Sequence, residues 1–139
     1  MDWKLQVVIA PVSDVDRARE FYVDRLGFTL DTDFAPSEHF RVVQVTPPGS
    51  ACSISFGTGL GGGAAPGSLK GTQLVVTDIE AARDHLDQRG IAHSGLQHFA
   101  DGQMTPGPDP ARADYGSFIF FDDPDGNTWS VQEVRQPAH

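Results

Sequence analysis

Residues 11–28, PVSDVDRAREFYVDRLGF, decide the fold, because the chain repeats them. Sliding the sequence by 64 places sets Val12-Ser13-Asp14-Val15-Asp16 on Val76-Thr77-Asp78-Ile79-Glu80. Ala18 then meets Ala82, Arg19 meets Arg83, Glu20 meets Asp84 and Arg25 meets Arg89. A one-residue gap brings Gly27 onto Gly90. Further on, at an offset of 77, Thr46-Pro47-Pro48-Gly49-Ser50 falls on Asp123-Pro124-Asp125-Gly126-Asn127, and Ser53-Ile54 on Ser130-Val131. Matching chemistry at both ends of each half reads as a tandem duplication of one supersecondary unit of about 60 residues.

Composition bounds what such a chain can be. Its 139 residues suffice for one domain, or two packed half-domains, with a real core. A hydrophobic share of 39% with a net charge of −9 suits a folded protein. The acidic balance repels phosphate backbones and anionic headgroups, so neither nucleic acid nor membrane is expected as a partner. No apolar run approaches the ~20 residues of a membrane span, and Met1-Asp2-Trp3-Lys4 lacks the pattern of a signal peptide. Cys52 has no second cysteine to pair with, which favours a reducing, cytoplasmic location.

Read in order, residues 4–12 (KLQVVIAPV) form a buried strand that ends at Pro11. Ser13 and Asp16 resemble a capping box, and the helix after them puts Val15, Ala18, Phe21, Tyr22 and Leu26 on one stripe until Gly27 stops it. Strands follow at 28–34, 40–46 and 51–56, with a polar turn at 35–39 and a tight connection at Pro47-Pro48-Gly49. This makes a first βαβββ module over residues 1–58. Residues 59–71 are a Gly-rich linker; Lys70-Gly71-Thr72 runs into a strand, so it is not a phosphate-binding loop. The second module, 72–136, has a strand at 72–76, a capping box at Thr77 and Glu80, a helix at 79–89, and closing strands at 117–121 and 128–134. Between Gly90 and Asp123 the offset grows from 63 to 77, so this half carries 14 residues that the first lacks. They are expected to give a strand near 93–99 and an extended loop near 100–116, a lid or an edge cover.

Two βαβββ modules, each burying a helix against one sheet face, leave two faces free to meet across a cavity. On residues 12–22 (VSDVDRAREFY), Leu26-Gly27-Phe28, the repeated VTDIEAAR of 76–83, and Asp123-Pro124-Asp125-Gly126, the chain resembles the vicinal-oxygen-chelate superfamily. That group includes glyoxalase I, bleomycin-resistance proteins and extradiol dioxygenases. The resemblance implies an α+β fold of two tandem βαβββ modules, with curved, antiparallel-rich mixed sheets enclosing a cavity. It also implies a homodimer, since in the bleomycin-resistance members two chains complete two cavities.

Enzymes of this group hold a divalent metal with one ligand near the start of each module's first strand and one on its last. Carried onto this chain, those positions are Val7, Gly71, Ser130 and Ser53, or Ser55 if the register slips by two. None is the His, Gln or Glu that the family uses. A slip of one residue would substitute Gln6 and Thr72 and would turn each strand over. No metal and no cofactor are therefore expected.

Strand alternation assigns the ligand-binding face to Val7, Ile9, Ser53, Ser55, Gln73, Ser130 and Gln132. An in-register hairpin at Asp123–Gly126 is expected to add Ile119 and Phe121, opposite Gln132 and Ser130, and to turn Phe120, Trp129 and Cys52 toward the helices. Of the five histidines, His85 reads as structural and His139 as a free terminus. His39, His93 and His98 fall at loop or strand edges, near the lid residues Asp101 and Tyr115. His98 and His39 are the candidates for metal-free acid/base catalysis. The favoured reading is a protein that binds a small organic molecule in an apolar cavity without metal. The alternatives are a metal-dependent lyase, isomerase or dioxygenase, and a metal-free enzyme using the loop histidines.

Overall fold

The computed structural model describes residues 1–135 and divides the chain into two compact units; His139 lies outside the described residues. Unit 1 comprises Met1–Leu69 together with Asp123–Asn127, and unit 2 comprises Lys70–Asp122 and the described residues from Thr128 to Arg135.

In unit 1 the strands are β1 (Val7–Ile9), β2 (Thr29–Ser37), β3 (Phe40–Thr46) and β4 (Ser53–Thr58), in the order β1-β4-β3-β2. β1 runs parallel to β4, and the other pairs are antiparallel. The helix expected after Ser13 starts as α1 (Val15–Arg19) and widens into a π turn over Glu20–Arg25, where the Leu26 N–H donates to the Phe21 carbonyl at 2.8 Å. Gly27 ends it at a φ of 87°, a conformation that costs glycine little. Ala18, Phe21, Tyr22 and Leu26 are buried, as their spacing requires, against Val43, Val45, Ile54 and Phe56. The Tyr22 ring stacks between Phe28 at 6.1 Å and Phe56 at 5.4 Å.

Unit 2 has β5 (Thr72–Val76), α2 (Ile79–Gln88), β6 (Gln97–Ala100), β7 (Gln103–Pro106), β8 (Ser117–Asp122) and β9 (Thr128–Glu133). Its sheet order is β5-β9-β8-β6-β7, with β5 parallel to β9. Ile79 and Leu86 pack α2 onto Ile119, Phe121, Trp129 and Val131, and Phe121 stacks on Trp129 at 6.3 Å.

Several local expectations are corrected. The helices are capped one residue later than a Ser/Thr box predicts. Asp14 accepts from the Arg17 N–H at 3.1 Å, and Asp78 from the N–H groups of Glu80 and Ala81. An Asp at N-cap offers a charged acceptor to the orphan amides, and both caps stay 64 residues apart. Ser13 is thereby released and binds Asp125 through its N–H at 3.1 Å and its hydroxyl at 2.6 Å. β1 has three residues instead of the nine expected, and β2 runs through the expected turn to Ser37. The extended loop near 100–116 is in part a strand, β7, which pairs with β6 and makes this sheet five-stranded. The turn is Asp101-Gly102, both at positive φ (53° and 77°), so this Asp-Gly pair was the signal for a hairpin.

Candidate functional site

Each unit buries one sheet face under its helix and leaves the other open, and strand register decides which residues share the open face.

In unit 1 the register pairs Val7 with Ser53 and Ile9 with Ser55, while the half-buried Val8 pairs with the core residue Ile54. β3 adds Gln44, opposite Ser55, and Val42, opposite Phe34. Val7, Ile9, Ser53 and Ser55 therefore share one face, as the alternation predicted. The two serines form its floor, 4% and 6% exposed, and Val7, Ile9 and Phe34 stand above it at 36%, 39% and 56%. A polar cluster lies at one end. Asp31, at a β-bulge, bonds the Thr46 hydroxyl, and Thr46 Oγ1 lies 2.7 Å from Ser53 Oγ.

In unit 2 Gln73 pairs with Ser130, and Val75 with Gln132. β8 is set one residue away from the expected register: Phe118 pairs with Gln132, Ile119 with Val131, Phe120 with Ser130 and Phe121 with Trp129. Ile119 and Phe121 are therefore core residues under α2, and Phe118 and Phe120 take the open face in their place. The cause is a hairpin with five residues, 123–127, between its paired ends, one more than the four-residue turn that the expected register requires. Asp122 pairs with Thr128, and the Asp123 N–H bonds the Asn127 carbonyl at 2.9 Å. Trp129 points to the helix side, as expected.

The outcome is an aromatic group that sequence reasoning missed. Phe118 and Phe120 lie with ring planes 6° apart and centroids 5.9 Å apart. Phe99, from β6, meets Phe118 edge-on at 6.4 Å and is 60% exposed. Met104 stands opposite Phe99. Gln132 and Ser130 border this apolar surface on the β9 side, and Gln73 lies beyond them on β5.

The histidine candidates lie elsewhere. His98 pairs with Ser117, on the buried side that includes Ile119, and its Nδ1–H donates to the Gly107 carbonyl at 2.8 Å. His39 is at the exposed β2–β3 turn beside Glu38. His93 ties Asp87 of α2, at 2.6 Å, to the Gly95 N–H, at 2.9 Å. Tyr115 is half-exposed at a φ of 63°, its N–H on the Glu133 carbonyl.

The positions where the resemblance would place metal ligands do not fit an ion. Val7 and Gly71 have no donor, the Ser53 hydroxyl is engaged by Thr46, and a serine at 130 is a weak ligand. The Val7–Ser53 pairing also excludes the slip that would substitute Gln6. Among the described residues no group of three His, Cys, Asp or Glu side chains converges to hold a metal.

With this fold and these faces established, the chain can be placed. It matches the family model described as Glyoxalase/Bleomycin resistance protein/Dioxygenase superfamily over residues 4–131, and it belongs to that family. Among solved structures it is similar to TnmS3, an antibiotic binding protein from Streptomyces sp. CB03234. The two are 32% identical with a TM-score of 0.74, over 95% of this chain and 96% of that one. A glyoxalase/bleomycin resistance protein from the same source is also 32% identical, with a TM-score of 0.71, over 94% of this chain and 100% of that one. A superfamily member from Sphaerobacter thermophilus DSM 20745 is 28% identical with a TM-score of 0.72, over 96% and 98% of the two chains. No curated protein matches. No helix among the described residues is long and apolar enough to cross a membrane.

Proposed function

We propose that this protein binds a planar aromatic small molecule on its open sheet faces, without a metal ion, and acts by sequestration. The observation that carries the reading is the Phe99–Phe118–Phe120 group, whose rings are held on a sheet with an open apolar surface. Exposed aromatic area of this kind is costly in water and is stabilised by a flat partner, with about 0.5–1.5 kcal/mol per ring pair beyond burial. Gln132 and Ser130 along the border supply neutral hydrogen-bonding groups that orient a ligand without charge. An antibiotic-binding relative at 32% identity supports a small-molecule ligand. The lack of basic donors at the family's ligand positions supports binding without metal. A homodimer in the cytoplasm is the setting we propose, supported by the exposed Val7, Ile9, Phe34, Val75 and Phe120 and by the unpaired Cys52.

Fluorescence titration with neutral acridine tests the reading. Saturable binding is expected, unchanged by chelator and weakened about tenfold by Phe118→Ala, the loss of one ring contact worth about 1.4 kcal/mol. An absence of saturation, or affinity that disappears with chelator and returns with zinc, would overturn it.

A further inference from the structure

The polar cluster of unit 1 has a direction. Asp31, Thr46 and Ser53 form a chain in which Thr46 Oγ1 touches both the Asp31 carboxylate and Ser53 Oγ. An ionised carboxylate only accepts, and a threonine hydroxyl has one proton, so the Thr46 proton goes to Asp31. The contact between Thr46 and Ser53, at 2.7 Å, then requires the Ser53 proton. Ser53 Oγ is left with lone pairs and no hydrogen to offer, and polarisation along the chain from Asp31 makes it a better acceptor.

Among the described residues, no basic side chain paired on this face opposes this. Besides Thr46 and Ser53, its paired residues include Val7, Ile9, Thr32, Phe34, Val42, Gln44, Ser55 and Gly57. Arg41, the cation on β3, is committed to Asp33 at 3.0 Å and Asp16 at 2.7 Å, and its place in the strand alternation is that of the buried Val43 and Val45. Arg19 likewise pairs with Asp33.

From this geometry we propose that Ser53, oriented through Thr46 by Asp31, is an acceptor subsite for a donor group of the ligand, a hydroxyl or a protonated amine, and that it rejects anionic ligands. The proposal rests on the reading that the open faces bind a small molecule, and it adds which chemical class the face of unit 1 selects, with the exposed Val7, Ile9 and Phe34 of that same face as the apolar contact for the ring system. A carboxylate or carbonyl presented to Ser53 would meet lone pairs and the field of Asp31, whereas an N–H or O–H completes the chain.

The test uses three ligands with one ring system: acridine, 9-aminoacridine, which is a cation bearing N–H donors near neutral pH, and acridine-9-carboxylate. Titrated against the full chain at moderate salt, 9-aminoacridine should bind about tenfold more tightly than acridine, and the carboxylate at least about tenfold more weakly. Thr46→Val, which cuts the chain, should bring the first ratio close to one, and Asp31→Asn should lower it. Asp84→Asn, an equal charge change on α2, should leave it intact. Equal affinity for the three ligands, a ratio unmoved in Thr46→Val, or an equal fall in Asp84→Asn would overturn the proposal, the last by assigning the preference to net charge. If one variant fails to fold, the wild-type order and the other variant still decide. If acridine binds but the preference is absent, only the subsite falls; if none of the three binds, the small-molecule reading falls with it.

Discussion

Tyr22 on the first helix donates its phenolic hydrogen to Asp123 at 2.7 Å, across 101 positions of sequence. Asp123 is buried and also accepts from Asn127 Nδ2 at 2.7 Å and from the N–H groups of Asp125 and Asn127 at 2.9 Å. Asn127 in turn donates to the Pro11 carbonyl, and its Oδ1 accepts from the Leu69 N–H. The five residues 123–127 are thus part of unit 1 through a buried carboxylate that satisfies four donors.

Removing that acceptor should be far more damaging than removing one donor. Asp123→Ala orphans buried N–H and O–H groups and should cost about 3 kcal/mol or more, whereas Tyr22→Phe, which loses one bond, should cost about 1–2 kcal/mol. Urea unfolding of the two variants checks the order. Equal losses would mean that the network does not act through Asp123.

Acid should loosen unit 2 through Glu133. This fully buried carboxylate accepts from Arg112 Nε at 2.8 Å, from Arg112 Nη2, and from the Ile79 N–H at 2.9 Å. The Arg112 hydrogen bonds, ahead of the opposing desolvation, hold it below its ordinary 4.5, and Arg112 is itself raised. A depressed folded pKa adds stability that is complete above the unfolded value and is lost as pH falls through the folded one. Stability should therefore be level through neutral pH in this respect and drop below about pH 4.5. Arg112→Ala should destabilise at neutral pH by about 3–5 kcal/mol, since it strands a buried charge, and should reduce the acid dependence. Thermal melts across pH would show both.

Gly57 should resist enlargement. It lies in β4 opposite Val42, and a Cβ there would come within 1.8 Å of the Arg41 carbonyl oxygen. The clash is with backbone, which no rotamer relieves. Gly57→Ala should lower stability by about 1–3 kcal/mol or more and open the β3–β4 pairing nearby. Hydrogen exchange at Val42 and Val43 would report it.

The fold was legible because duplication states each signal twice. The two Asp caps, the helix stripes ending in Gly27 and Gly90, and the turn before each final strand are short-range patterns with local physical causes. What was not legible lay in counts of one residue. A cap can sit on Ser13 or on Asp14, and only the partner Asp125, 112 positions away, takes Ser13 from the helix. Strand alternation says that FIFF has two faces but not which is inward; the hairpin at Asp123–Asn127 sets that, and its closure on Asp122–Thr128 is a tertiary fact. The open-face residues of β1, β4, β5 and β9 were readable because each is tied to a helix cap or a repeat. The aromatic group was not, since it combines Phe99, on a strand inside the inserted residues, with a β8 register that local sequence leaves open.

That register gives the sharpest contrast among neighbouring substitutions. Ile119 is fully buried against Val131 on the helix side, while Phe118 lies on the open face between Phe99 and Phe120. Ile119→Ala should cost about 2–5 kcal/mol of stability as a core cavity, with acridine affinity of the folded fraction close to wild type. Phe118→Ala should cost less stability and weaken acridine about tenfold, because it removes the ring that both aromatic neighbours contact. Phe120→Ala should follow Phe118, and Phe121→Ala should follow Ile119. Paired measurements of unfolding midpoint and acridine affinity on these four variants would therefore alternate along β8. If Ile119 and Phe121 carried the affinity instead, the open face would belong to the other two residues and the proposed site would be on the wrong side of the sheet.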